Sequence, residues 1–452
     1  MTPPDTHAGG ERPTGQARRM QMRYGFNEIN GWWHMSLGPH AAEIRRRLRL
    51  MDTRVIRVFV FDPQVPSPFK DWHLFAGLLQ GVLDAGAVPM ITFAKFEPAF
   101  DSPRNVASFV ERCREVVWSC VEVWGGAVVK DWHWCIWNEP NNRIIGGDLT
   151  FAHYRAIYDE VASAILDEIE PHLGGRKAMI GGPSIDGTHR PYWMDWIARL
   201  LDEVDAAKVG FVNWHRYADW RPAVPSSSLG LEMWGSPDAP DGAMFEALLM
   251  AQTPGYESSA RGVARLLQER DVLNVCGELN TIAHHENYYT LGLNQNIFGA
   301  AYYASALIHL IRGGADLEMR WTATGHDDAY GLISKTAEPT VAALAKQLFA
   351  QHVRTGDWIS FPSTRPELPA IDAIVAWGDG PRLSGVLVNT SNKTVVIDAC
   401  EWDSRLTRCD EVLILDAGCN GRIRRLPLER HVTISGYGIA VVTSAACDTV
   451  LD

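Results

Sequence analysis

After Arg18, short apolar runs alternate with longer segments in which apolar residues return at helical spacing. The strand-like runs are Met22 to Asn27 (MRYGFN), Arg54 to Phe61 (RVIRVFVF), Val88 to Ala94 (VPMITFA), Trp132 to Glu139 (WHWCIWNE), Lys177 to Ser184 (KAMIGGPS), Val209 to Tyr217 (VGFVNWHRY), Leu273 to Asn280 (LNVCGELN) and Asp316 to Ala323 (DLEMRWTA). Between them lie amphipathic stretches such as Phe151 to Ile169, with Thr150 placed to cap the first turn. Alternation of this kind requires parallel strands joined by crossover helices, and about eight such units close a (β/α)8 TIM barrel of α/β class. A doubly wound open sheet is the competing architecture. It lacks an anchor, because no GxGxxG follows any of the runs and no GxxxxGK[ST] occurs.

Beyond the helical segment Thr340 to Ala350 the texture changes. AIVAWGD, RLSGVLVNTS, KTVVIDA, EVLILDA, RHVTISG and GIAVVTSA are short, rich in β-branched residues and separated by Gly, Asn and Asp. They predict a small antiparallel β-sandwich at the C-terminus, packed on the barrel. The expected division is a disordered tail over 1–17, a catalytic barrel over 18–352 and a β-sandwich over 353–452.

Length and composition agree with one large domain plus an appendage. The 452 residues suit a barrel of about 250 to 350 residues and a smaller module. A formal net charge of -12 opposes attraction to nucleic acid and to anionic membranes. The N-terminal stretch has no apolar signal region and no run is long enough to cross a bilayer, so a cytoplasmic address is expected. Eight Cys without CxxC or finger spacing read as free thiols, with a disulfide left open in the Cys-rich last fifth. The 17 Trp belong mostly to packing, and the remainder suit stacking on the apolar faces of sugar rings.

Active residues of such a barrel sit where strands end at the C-terminal edge. Glu139 closes the fourth run in CIWNEPNN and Glu278 closes the seventh in VCGELNT. Cleaving a glycosidic bond needs one carboxylic acid to protonate the leaving oxygen and one carboxylate across the anomeric carbon, with their acidities separated by environment. Strands four and seven face each other across a barrel mouth, so the two side chains can converge. Each Glu taken singly reads more readily as a salt-bridged or solvated rim residue.

CIWNEPNN at strand four with a Glu in GELNT at strand seven resembles the retaining glycosidases of clan A, most closely glycoside hydrolase family 39, which contains β-xylosidases, α-L-iduronidases and bacterial exopolysaccharide glycosidases. The resemblance implies that Glu139 is the general acid/base and Glu278 the nucleophile. It further implies that Asn138 binds the sugar 2-hydroxyl, that His215 contacts the site, that Tyr217 hydrogen-bonds the nucleophile and that Trp321 forms the aromatic floor. The segments YGFNEINGWWHM and GELNT depart from the family's usual wording. Asn280, two residues beyond Glu278, is a further candidate for substrate contact.

Other positions carry two readings each. Arg57 supports the nucleophile or makes a structural ion pair at a strand end. Trp32, Trp33 and His34 line the cleft or pack a loop, with Trp33 taken as the substrate-binding candidate. His284, His285 and Glu286 lack HExxH spacing, so neither metal nor organic cofactor is expected. Gly325 to Asp328 (GHDD) binds hydroxyls or is merely a polar loop. The expected partner is a carbohydrate, with no nucleic acid and no membrane, and a homo-oligomer is left open. The leading function is an exo-acting, retaining glycosidase of β-xylosidase type. The alternatives are an endo-acting exopolysaccharide glycosidase, a transglycosylase or glycoside-tailoring enzyme, and an inactive carbohydrate-binding barrel.

Overall fold

A computed structural model describes residues 17–29, 31–94, 103–142, 145–187, 192–218, 242–282, 292–325, 329–362, 370–419 and 421–444. Eight parallel strands close into a barrel: β1 (Arg23–Asn27), β2 (Thr53–Val60), β3 (Val88–Phe93), β4 (His133–Ile136), β5 (Ile180–Ile185), β6 (Phe211–Tyr217), β7 (Leu273–Asn280) and β8 (Leu317–Trp321). All eight coincide with the expected runs. Val55, Met90, Cys135, Phe211, Val275, Leu317 and Met319 fill the lower interior, so the barrel is a packed core whose chemistry is confined to its upper rim.

The crossover helices obey ordinary end rules. Helix Phe151–Leu173 begins where Thr150 accepts a hydrogen bond from the His153 amide and stops at Gly174, whose φ of 60° is left-handed. Two helices are apolar nearly all round. Ile297–Gly313 and Val341–His352 lie between the barrel and the C-terminal sheet, so both flanks are covered.

The C-terminal strands are β9 (Trp358–Ser360), β10 (Ile371–Trp377), β11 (Leu383–Asn389), β12 (Val395–Asp398), β13 (Glu411–Leu415), β14 (Arg424–Pro427), β15 (His431–Ile434) and β16 (Ile439–Thr443). An antiparallel sheet runs Arg18–Arg19, β9, β10, β11, β16, β13, β14, and β12 pairs separately with β15. The central strands read as unbroken apolar runs because both faces are buried. Ile374, Val386, Leu413 and Val441 face the barrel helices, whereas Ala373, Leu387, Ile414 and Val442 face a second core with Trp402, Leu406 and Ile434.

Arg18 and Arg19 pair with β9 before the chain enters the barrel, so a segment that precedes the barrel joins the C-terminal sheet. The tail reading over 1–17 falls, up to residue 16, outside the described residues. Six described Cys are free thiols: Cys113, Cys120, Cys135, Cys276, Cys409 and Cys419. Among the described residues no helix is long and apolar enough to cross a membrane.

Candidate active site

The turn after β4 is the most constrained segment of the rim. Trp137 has φ 73° and Glu139 φ 49°, a left-handed backbone that costs a non-glycine residue on the order of 1–3 kcal/mol and persists only when its surroundings over-determine it. They do. The Trp137 amide donates to the Phe93 carbonyl at 2.8 Å, the Glu139 amide to the Ser184 carbonyl at 2.9 Å, and the Trp137 indole to the Gly146 carbonyl at 2.9 Å. Gly146 packs so closely that an added Cβ would fall 1.6 Å from the Glu139 carbonyl oxygen.

Glu278 reaches the mouth through a bulge. Val275 points into the barrel floor, so strict alternation would turn Glu278 outward toward the helices. The β6–β7 register instead pairs Trp214 with Cys276 and His215 with Glu278, passing over Gly277. That extra residue reverses the alternation and aims Glu278 inward. Only glycine fits there, since a Cβ would lie 1.8 Å from Asn213 Oδ1. A second register shift at Ser184, whose φ is 53°, turns that side chain inward from β5.

Arg57, fully buried on β2, ties the rim together. Its Nη1 donates to Glu278 Oε1 at 2.8 Å and Asn27 Oδ1 at 3.3 Å, its Nη2 to Asn138 Oδ1 at 2.7 Å and Ser184 Oγ at 3.1 Å, and its Nε to Thr92 Oγ1 at 2.7 Å. Those contacts account for every donor a guanidinium owns. Because Asn138 presents its oxygen to Arg57, its amide nitrogen is left for another partner. Tyr217 donates from its hydroxyl to Glu278 Oε2 at 2.9 Å. His215 Nδ1 lies 2.9 Å from Glu139 Oε1 and 3.5 Å from Glu278 Oε2, and Asn142 Nδ2 donates to Glu139 Oε2 at 2.9 Å.

Burial governs the acidities. It pushes Glu278 up, against the pull of His215, Arg57 and Tyr217, while the neighbouring Glu139 charge adds to the rise. Burial lowers His215 to about 4, so the ring is neutral at ordinary pH. It also drives the Tyr217 phenol well above its usual value, which keeps it a donor to the carboxylate. Glu139, His215 and Glu278 offer potential ligand atoms within 4.8 Å of one another. A cation there would meet the Arg57 guanidinium, which already supplies the positive charge at 2.8 Å, so the group suits proton handling better than metal binding.

Glu139, Glu278, Asn138, His215, Tyr217 and Arg57 therefore converge. Trp321 stands beside them with its ring edge-on to Phe59 at 5.7 Å, and Phe59 in turn lies under Arg57 at 4.5 Å. Two candidates differ from expectation. Asn280 is wholly buried, donating its amide to the Trp321 carbonyl and accepting from the Thr281 amide, so it braces β7 against β8 instead of facing a sugar. Trp33 lies on helix Trp32–Ser36, 46% exposed and edge-on to Trp32, apart from the cluster. His284 to Glu286 and His326 to Asp328 fall outside the described residues.

Sequence reasoning missed Asn27, Thr92, Asn142 and Ser184, although each stands at or just past the C-terminal end of a barrel strand, the position that marks this rim. It also missed Glu28, which accepts from the Gly31 amide at 2.9 Å and the Thr324 amide at 3.0 Å and so clamps the loops after β1 and β8.

A parallel barrel with two carboxylates facing each other at its C-terminal rim is an arrangement that suits glycoside hydrolysis. Residues 81–236 match the profile of Glycosyl hydrolases family 39, a span holding Glu139, His215 and Tyr217 but ending before Glu278. Solved structures share the fold. A monomeric beta-xylosidase from Caulobacter crescentus CB15 aligns with TM-score 0.61 at 15% identity, covering 95% of this chain and 97% of that one. The GH39 enzyme of Xanthomonas axonopodis pv. citri gives 0.58 at 14%, with 95% of each covered. A family 51 alpha-L-arabinofuranosidase from Bifidobacterium longum gives 0.65 at 15%, with 95% and 96% covered. No curated protein matches the sequence. The chain is a glycosidase, similar to glycosyl hydrolases of family 39 over residues 81–236.

Proposed function

We propose that this protein cleaves a glycosidic bond with retention, through a covalent glycosyl-enzyme. Glu278 attacks the anomeric carbon while Glu139 protonates the departing oxygen; Glu139 then takes a proton from water, which releases the sugar. The carrying observation is the approach of the two carboxylates, with an oxygen of each within 4.8 Å of the other. Retaining enzymes place these groups about 5 to 5.5 Å apart, and inverting enzymes leave roughly 6.5 to 9.5 Å for a water.

Arg57 and Tyr217 each hold one Glu278 oxygen, which orients the carboxylate and favours its charged form. His215, neutral and in reach of both carboxylates, can pass or hold the proton that Glu139 gains and loses. The free amide of Asn138 is presented to the sugar 2-hydroxyl, and Trp321 offers a face to the ring. The substrate class is a short oligosaccharide or small glycoside cleaved from its end. The Caulobacter beta-xylosidase, alike over nearly the whole chain, makes a β-xyloside the first substrate to try.

A panel of aryl glycosides (β-xyloside, glucoside, galactoside, glucuronide, fucoside and arabinoside, with α-L-iduronide) tests this on wild type and Glu278→Ala. We expect turnover by wild type alone, with azide restoring Glu278→Ala and yielding the glycosyl azide of opposite anomeric configuration. Normal turnover by Glu278→Ala contradicts the reading.

A further inference from the structure

Ser184 is tied to the two candidate glutamates by different atoms, to the backbone of Glu139 directly and to Glu278 through Arg57. Its carbonyl accepts the Glu139 amide at 2.9 Å. Its hydroxyl oxygen accepts from Arg57 Nη2 at 3.1 Å and from Asn213 Nδ2 at 2.8 Å, and Arg57 is the residue that grips Glu278. Two acceptances use both lone pairs of a hydroxyl, so its proton goes to the remaining neighbour, Cys135 Sγ at 3.0 Å. The side chain is fully buried and points inward only because the chain bulges there, with φ at 53°. A residue recruited merely to fill space would not need an unfavourable backbone and a fully used hydroxyl.

We propose that Ser184 is a positioning residue that sets both carboxylates at once: its carbonyl fixes the backbone of Glu139, and its hydroxyl, through Arg57, fixes Glu278. This rests on the roles proposed above for the two glutamates. Loss of the hydroxyl leaves Nη2 of Arg57 with Asn138 alone, while Thr92 and Asn27 still hold the other nitrogens, so the guanidinium shifts within its pocket and its hold on Glu278 weakens. The carbonyl is retained by any substitution, which separates the two arms of the device.

The experiment compares Ser184→Ala with Ser184→Gly. Both lack the hydroxyl, and glycine also relieves the left-handed backbone, so a loss of function common to both cannot be laid to misfolding if Ser184→Gly keeps the wild-type circular dichroism. On the aryl glycoside that wild type cleaves, we expect kcat to fall about 10- to 100-fold with KM within about threefold, the scale of a small misplacement of reacting groups. We expect the acid limb of the kcat profile to move to higher pH. A reading independent of turnover is a 13C titration of glutamate-labelled protein, with Glu278 assigned through Glu278→Gln. Its carboxylate should titrate at higher pH in both variants than in wild type. Unchanged kcat and an unchanged Glu278 titration overturn the proposal; a shifted titration in protein that cleaves no glycoside upholds it while failing the hydrolytic reading.

Discussion

The residue that decides the chemistry of this rim is Arg57, because a buried guanidinium can hold a buried carboxylate ionised only while both keep their partners. Arg57→Met leaves Glu278 buried and unpaired, a loss of about 3–5 kcal/mol for a broken buried pair. We expect a corresponding drop in thermal stability together with loss of turnover, read by calorimetry and by the glycoside assay. Tyr217→Phe is gentler. Burial already raises Glu278, and the Tyr217 hydrogen bond opposes that rise, so its removal should shift the acid limb of kcat/KM to higher pH. An unmoved limb contradicts the assignment of that limb to Glu278. Arg57 was legible as a polar residue on a barrel strand, though with a structural reading beside the functional one, and Tyr217 and His215 were legible through the resemblance of WHRY to family 39. The sequence did not single out Asn142, which acts from the turn after β4, or Ser184, whose side chain faces the rim only because β5 bulges there.

At the scale of elements, the strands were readable from apolar runs alone, but their irregularities were not. A bulge has no apolar signature. Gly277 in GELN, which departs from the usual wording of the family, is the one clue, and its meaning emerges only from the 1.8 Å approach of a would-be Cβ to Asn213. Gly277→Ala should either break the bulge or displace Asn213 and Ser184. We expect activity to fall at least as far as in Ser184→Ala, with a lower melting temperature; wild-type activity in this variant would mean the bulge does not aim Glu278. The C-terminal strands β9 and β14 escaped notice for simpler reasons. Trp358–Ser360 is too short to alternate, and Arg424–Pro427 is exposed throughout, so no hydrophobic pattern marks it.

The whole molecule carries a charge economy that its net charge hides. His133, His215 and His352 are buried and neutral, lowered by burial to about 3, 4 and 4. An unfolded His binds a proton near pH 6.5, so the stability these groups contribute is present above that value and is lost as pH falls toward 4. His309 has the opposite sign. It lies between Glu257 of helix Pro254–Leu266 and Asp372 of β10, with Arg312 nearby, and although burial opposes its charge, the two carboxylates raise it. Its contribution is present below about 6.5 and lost as pH rises through the raised value.

With three groups against one, we expect the melting temperature to fall from pH 6.5 to 4.5. His133→Phe should flatten that fall, since neither nitrogen of His133 has a hydrogen-bond partner among the described residues. His309→Gln should remove stability at pH 6 by loosening the sheet from the barrel. A slope identical to wild type would contradict the first, and an unchanged melting temperature at pH 6 the second.

The central claim is that Glu278 forms a covalent bond to the sugar. Incubation with the 2-deoxy-2-fluoro derivative of whichever aryl glycoside is cleaved, followed by peptide mass mapping, tests it most directly. The account predicts a fluoroglycosyl adduct on the peptide containing Glu278, with none on that containing Glu139. An adduct elsewhere, or turnover releasing the sugar with inverted configuration and no adduct, would contradict it.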